Sequence, residues 1–353
     1  MFEDLKVIDC STVLAGPSVG TFFAELGASV TKIENPAIPD VTRSWKLASE
    51  DKNTSVSAYF SSVNYRKQYL KLDFKNGSHH NQLIHLIQTA DIFLCNFKKG
   101  DAEKFGLSDS YLQSVNPKLI IGKISGFGSE SDRVAYDLIL QAETGFMSMN
   151  GTPESGPVKM PVALIDVLAA HQLKEGILTA LLNRTKTQKG AVVSVSLYDA
   201  AIASLANQAS NYLMAGHIPE RIGSLHPNIA PYGEIFITND GKLITFAIGS
   251  NKHFQLLCEF LNLSDLPSDP RFSENVERVK NRKVLQEIIT EIVSHCNAAD
   301  ILAFMHAHFV PAGLIKDLKQ VFEDPASQHL VRTETIEHMH TKRVSQIAFQ
   351  VKS

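Results

Sequence analysis

The alternation of short apolar runs with helical stretches constrains this chain more than any other feature. Residues 5–9 read as a strand ending in Asp9. Leu14-Ala15-Gly16-Pro17 is a loop, with Pro17 suited to a first helical turn. Phe22, Phe23 and Leu26 give a helix face that Gly27 ends, and residues 29–34 form a second strand. Further strands are expected at 69–74, 91–97, 119–125 and 192–197, with helices over 80–90 and from Asp199 onward. Strands alternating with helices specify an α/β, Rossmann-like, doubly wound parallel sheet. Ligands of such sheets bind beyond the carboxyl ends of the strands, where Leu14, Phe97, Lys98 and Gly126 fall.

An acid closing the second strand, Glu34, fits a dinucleotide fold. The glycine fingerprint is missing, because the loop after Asp9 offers only Gly16 and Gly20 with Pro17 between them. Bound NAD or FAD is therefore not expected. Residues 35–60, with Pro36, Pro39 and the only tryptophan, Trp45, read as a long surface loop. Near residue 220 the pattern changes. Residues 234–238 and 242–248 flank Asn239-Asp240-Gly241, a strong hairpin signal, and helices follow at 251–262 and 281–295. The expected division is a large domain over 1–222 and a smaller α+β domain over 223–310. Residues 311–353 are expected to return to the large domain or to a partner subunit, through a short strand, a helix near 317–323 and a polar end of no clear structure.

At 353 residues, the chain is long enough for two cores. A net charge of −3 gives no electrostatic reason to expect nucleic acid or an anionic membrane. No apolar run is long enough for a membrane span, and the first residues lack the pattern of a signal peptide. The four cysteines are scattered without a CxxC pair, which points to a reducing, cytoplasmic location.

Asp166 is the leading candidate for chemistry. Residues 161–165 run apolar into it, and Leu168, Leu173, Ile177, Leu178 and Leu181 then recur at helical spacing. A carboxylate at that junction has backbone N–H groups near it and apolar neighbours beside it, which suits a nucleophile. It also suits a plain N-cap, the commoner role on local pattern. Lys32, Arg43, Arg66, Lys67, Lys98, Lys99 and Lys104 form a loose basic set near strand ends. Together they suit a phosphate-rich ligand; singly, each suits a solvated surface. The 13 histidines include the pairs His306/His308 and His338/His340, without cysteine or carboxylate at ligand spacing, so no metal is expected. A Walker loop and a nucleophile elbow are both absent.

Several segments in order resemble one family. They are Val13-Leu14-Ala15-Gly16-Pro17, Leu26-Gly27-Ala28, Lys32-Ile33-Glu34, Asp40-Val41-Thr42-Arg43, Asn64 with Lys67, and Asp91 through Phe97. Phe105-Gly106-Leu107, Asn116 through Ile120, Ser125-Gly126-Phe127-Gly128, Tyr136-Asp137, Asp166, Pro231-Tyr232 and Asp240-Gly241 continue the series. Over about residues 3–330 the chain resembles the class III CoA-transferases of the CaiB/BaiF type. Formyl-CoA and carnitine CoA-transferases belong to that group, and the α-methylacyl-CoA racemases share its fold.

The resemblance implies a CoA-transferase acting between an acyl-CoA and a free carboxylic acid, on an interlocked homodimer fold. It implies no tightly bound cofactor, with coenzyme A and acyl-CoA as substrates. Asp166 falls on the family's catalytic aspartate, which attacks the thioester and becomes an aspartyl-CoA intermediate. The segments holding Leu14, Ala15, Asn64, Tyr65, Arg66, Lys67, Asn96, Phe97, Lys98, Lys104, Val134, Ala135, Tyr136 and Asp137 fall on those that hold CoA. Asn35 and Val134 stand where formyl-CoA transferase has arginine and lysine, and Gly223-Ser224-Leu225-His226-Pro227 replaces its mobile glycine run. Tyr136 stands where the racemases place histidine, which favours transfer over racemisation. A CoA-binding protein without turnover is the third reading.

Overall fold

The computed structural model describes residues 1–352. The chain divides into two compact units, one of residues 1–148, 159–219 and 328–352, the other of 149–158 and 220–327.

The first unit is built on six parallel strands: β1 (Lys6–Asp9), β2 (Ser29–Glu34), β3 (Lys67–Lys71), β4 (Ile92–Cys95), β5 (Ile120–Ser125) and β6 (Ala191–Ser196). Their order, β3-β2-β1-β4-β5-β6, reverses direction between β1 and β4. All four residues of β4 are buried, as a strand covered on both faces requires. On one face the helices Ala15–Glu25, Leu164–Thr187 and Leu197–Ala203 bury Val19, Phe23, Ile165, Leu173 and Ile177. On the other, Gly77–Ile87 and Asp109–Val115 bury Leu83, Ile87 and Leu112 against Ile8, Phe93 and Ile121. The sheet is therefore doubly wound, as the alternation of elements predicts.

Two stretches differ from the sequence reading. β3 begins at Lys67, two residues before the expected 69, because Lys67 pairs in register with Val30 although its side chain is charged. Residues 35–60 run largely over the surface, as expected, but are pinned at a few buried points. Asp40, Thr42, Val56 and Phe60 are buried, a 3-10 turn covers Val41–Ser44 and a short helix covers Ala58–Ser62. Buried ion pairs fold this segment, and no periodicity announces them. The polar C-terminal end is ordered as well. β10 (Val331–Ile336) and β11 (Met339–Val344) form an antiparallel hairpin. Arg343 of this hairpin pairs with Glu25 and donates to the Ser62 carbonyl at 3.0 Å.

The second unit has an antiparallel sheet of β7 (Tyr232–Ile237), β8 (Leu243–Ala247) and β9 (Ala312–Leu314). The helices Asn251–Phe260, Arg282–Val293 and Ala298–Ala307 cover one face and bury Phe236, Phe246, Phe254, Leu285, Ile289 and Ile301. Arg278 is fully buried here, donating to the Ala230 and Phe272 carbonyls at 2.9 Å and to Asn251 Oδ1 at 2.8 Å. The boundaries differ from the expected 223 and 310. Residues 149–158 join this unit, where the Gly151 carbonyl accepts the Gly223 amide at 2.8 Å. Residues 311–327 join it too, since β9 completes its sheet.

Candidate active site

In a parallel sheet the crossover helices run antiparallel to the strands, so they begin at the carboxyl rim. The helices Ala15–Glu25 and Leu164–Thr187 pack side by side and both begin there. Asp166 is the third residue of the longer one and is 8 % exposed. The N-cap position belongs to Ala163, which has no capping side chain. The amide of Ile165 is instead bonded at 2.7 Å by Asp137 Oδ1, from 28 residues earlier. Asp137 Oδ2 in turn accepts from Gln141 Nε2 at 2.5 Å, and the Gln141 Oε1 atom accepts the Met160 amide at 2.8 Å. Asp166 itself accepts no hydrogen bond among the described residues. Burial, and then the nearby Asp137 charge, push its carboxyl up to about 7.

Tyr59 lies close to this pair. Burial first, then the charges of Asp166, Asp137 and Asp40, push its phenol up to about 12, so it stays an O–H donor at neutral pH. The Trp45 ring meets Tyr59 edge-on at 5.1 Å and Tyr136 at 6.5 Å. Sequence reading noted Trp45 only as a unique residue and passed over Tyr59. Neither carries a periodic or charged signal; their role comes from the folding of residues 35–60.

At the strand-order reversal, the loop after β1 is gripped by side chains. Ser11 donates its amide to Asp9 Oδ1 at 3.0 Å, and Lys32 Nζ donates to the Ser11 carbonyl at 2.8 Å. Asn96, just past β4, bonds both the amide and the carbonyl of Thr12 at 3.0 Å. A Cβ on Gly16 would lie 2.4 Å from Ser11 Cβ, so only glycine lets the helix start this close to the loop. The amides of Leu14, Ala15 and Gly16 follow, with no acceptor among the described residues.

Comparison with known proteins agrees with this architecture. Residues 2–353 match the profile of CoA-transferase family III. The chain belongs to CoA-transferase family III. The curated relatives of this family III chain include a succinate–glutarate CoA-transferase of Agrobacterium fabrum, 36 % identical over 92 % of this chain and 82 % of that protein. An acetyl-CoA:oxalate CoA-transferase of Acetobacter aceti is 33 % identical over 92 % of this chain and 83 % of its own length. Among solved structures, a CaiB/BaiF family protein from Brucella suis superposes with a TM-score of 0.86 at 33 % identity. That superposition covers 98 % of this chain and 91 % of the other.

The residues of this family III chain expected to hold CoA fall into distinct settings. Leu14 and Ala15 open the helix at the reversal point, beside Asn96 through the Thr12 clasp. Lys98 and Lys104 are exposed just beyond β4, Lys104 paired with Asp101 at 3.0 Å. Phe97 does not face outward alone; it packs in a ring cluster with Phe74 and Phe105. Val134 and Tyr136 are exposed, and Ala135 packs against Gly126. Asp137 stands beside Asp166.

Asn64 and Lys67 are buried and turned inward. Lys67 Nζ sits within 2.9 Å of Asp9, the Pro17 and Val63 carbonyls and Asn64 Oδ1. Its donors are thus all used within the chain, and the pair acts as a support for the loop. Burial alone would raise Asp9, but the Lys67 and Lys32 charges hold it below the usual carboxylate range. Tyr65 lies under the Arg343 guanidinium, and Arg66 has a left-handed backbone whose amide donates to Glu334 at 2.9 Å. Of the loose basic set, Lys32 and Arg43 are likewise spent on Asp40 and Glu34. Arg66, Lys98, Lys99 and Lys104 remain exposed.

Proposed function

We propose that this protein transfers CoA from an acyl-CoA thioester to a free carboxylic acid, with Asp166 as the covalent carrier. One observation carries the reading. A buried carboxylate with no hydrogen bond among the described residues occupies the first turn of a helix whose amide is capped by a different acid, Asp137. A residue needed only as a cap would make that bond itself. Ion pairing and bonding would both weaken a carboxylate nucleophile, and Asp166 is spared both.

The steps balance as follows. Asp166 Oδ attacks the thioester carbonyl and expels the CoA thiolate, giving a mixed anhydride. The thiolate attacks the Asp166 carbonyl, releasing the donor acid and leaving an aspartyl thioester. The acceptor carboxylate attacks that thioester, again expelling the thiolate, which then attacks the acceptor carbonyl and frees Asp166. The unbonded Leu14 and Ala15 amides are the donors available on this rim for the oxyanions. Exposed Arg66, Lys98 and Lys104 are the cations available for the CoA phosphates. Tyr136 in place of a histidine before Asp137 favours transfer over α-proton exchange. Acetyl-CoA apart, the acids named for these relatives are dicarboxylic, so we infer a short dicarboxylic acid as acceptor and succinyl-CoA or acetyl-CoA as donor.

We also infer a homodimer and a cytoplasmic location. The helix Ala206–Ala215 buries none of its residues, with Leu213 79 % and Met214 88 % exposed. Apolar surface of that kind is ordinarily covered by a partner. All four cysteines are free thiols, as a reducing compartment favours.

Exchange of CoA between succinyl- or acetyl-CoA and a panel of carboxylic acids, with Asp166→Ala beside the wild type, tests the reaction. An acceptor labelled with 18O in its carboxylate should leave label on Asp166 after turnover. Transfer that survives in Asp166→Ala, or label absent from Asp166, would sink the covalent reading.

A further inference from the structure

Val13 is a β-branched residue with φ of 74°. A Cβ makes that region unfavourable, and a branched one makes it worse. Such strain persists only where the surroundings over-determine it. Here they do. Asp9 and Lys32 hold the two backbone polar groups of Ser11, and Asn96 holds both of Thr12. The Val13 amide then points between the carboxylate oxygens of Asp40, at 3.3 and 3.4 Å.

Asp40 and Lys32 are 3.0 Å apart, and both side chains are fully buried. A pair so placed is a poor source of stability, since desolvation consumes most of its attraction. Its position suggests another use. Lys32 grips the loop before Thr12 and Asp40 grips it after. Asp40 also accepts from the Thr42 amide at 3.1 Å and the Thr42 hydroxyl at 2.7 Å, starting the turn that leads into Trp45. The same carboxylate thus ties the loop that opens the helix to the segment that carries the aromatic wall.

We propose that Asp40, anchored by Lys32, is a positioning residue: it holds Val13 in its left-handed conformation and so aims the amides of Leu14 and Ala15 at the acyl-CoA. This rests on the transferase reading of the site. Were Val13 to relax to negative φ, the peptide plane joining it to Leu14 would rotate and the Leu14 N–H would turn away. Asp40 touches no substrate in this account; its effect passes through one backbone torsion.

The test is a double-mutant cycle read by calorimetric binding of CoA and acetyl-CoA. Lys32→Met with Asp40→Leu removes both grips while replacing two buried charges with apolar groups of similar size, so that neither charge is left unpaired, although the Val13 and Thr42 amides and the Ser11 carbonyl lose their partners. Val13→Gly makes the left-handed backbone comfortable without help. The paired charge replacement should weaken binding about tenfold. Val13→Gly should bind within about threefold of wild type, and in its background the paired replacement should cost less than about threefold. Equal losses in both backgrounds, or no loss in either, would overturn the proposal. Val13→Gly alone, which keeps every charge, gives a second check should the paired variant fail to fold: a loss of tenfold or more there would also overturn it. Wild-type protein that binds neither ligand would instead overturn the transferase reading, and the proposal with it.

Discussion

The Asp137 carboxylate bonds the Ile165 amide at 2.7 Å and thereby takes the capping position at the start of the helix that bears Asp166. One acid completes the helix end. The other is left buried, unbonded and beside a like charge. Two carboxylates in neighbouring but unequal settings can divide structural and chemical work, and each division can be measured.

Replacing Asp166 with Asn should abolish transfer, lowering kcat by at least about a thousandfold, as loss of a nucleophile does. It should also stabilise the fold at high pH. Asp166 titrates at about 7 in the folded chain, against an ordinary value of 3.8. A raised carboxylate contributes stability that is fully present below about pH 4 and is lost as pH rises through 7. The Asn variant lacks this loss. Denaturant unfolding should find the two proteins alike near pH 4 and the variant more stable by about 2–4 kcal/mol at pH 8. Equal stability at both pH values would refute this environment for Asp166.

The same titration should govern activity. Attack requires the ionised form, so kcat/KM should rise with pH along a limb centred near 7. Asn at 137 keeps an oxygen for the Ile165 amide and removes the like charge. The limb should then move to lower pH; the Asn amide nitrogen would face Gln141 Nε2, donor against donor, so some stability is lost too. Ala at 137 removes the cap as well and should cost about 1 kcal/mol of stability. A limb that stays in place in Asp137→Asn would show that Asp137 does not act on Asp166 through charge.

Gly16→Ala should disturb the loop at the sheet reversal. Its Cβ would fall 2.4 Å from Ser11 Cβ and Oγ, so the loop or the helix must shift. A loss of about 1–3 kcal/mol is expected from overpacking, together with weaker CoA binding. Unchanged binding by calorimetry would argue that this loop does not touch the substrate.

Leu213→Glu tests the exposed helix Ala206–Ala215 as a subunit contact. None of the described residues buries Leu213, so a charge there should leave a monomer folded. Size-exclusion chromatography with light scattering should find wild type dimeric and the variant monomeric. A monomeric wild type would remove the basis for the dimer.

Much of the fold was legible beforehand because parallel strands covered on both faces must be continuously apolar. Residues 92–95 and 120–121 could hardly be anything else. The place of Asp166 was legible for the same reason, as the first charge after an apolar run that becomes a helix. The settings of Lys32, Lys67 and Asn64 were not. Written in sequence, a buried lysine looks like a solvated one; only the acceptors gathered around it distinguish the two. Within 35–60, a surface segment as expected, the buried pins were hidden on the same grounds, since Asp40 and Arg43 pair with Lys32 and Glu34 and Ser55 with Glu337 of the 331–344 hairpin.

The sequence alone therefore determined the alternation of elements, the doubly wound sheet and the helix that presents Asp166, because these follow from local periodicity and from burial of contiguous residues. Tertiary structure alone decided which acid caps that helix, which cations are spent inside the chain, and how Val13 is held. These contacts join residues from 8 positions apart (Lys32 and Asp40) to 84 (Thr12 and Asn96), between polar groups whose partners no local pattern encodes. A hydrogen bond or ion pair is specified by where two groups meet, and that depends on the completed fold.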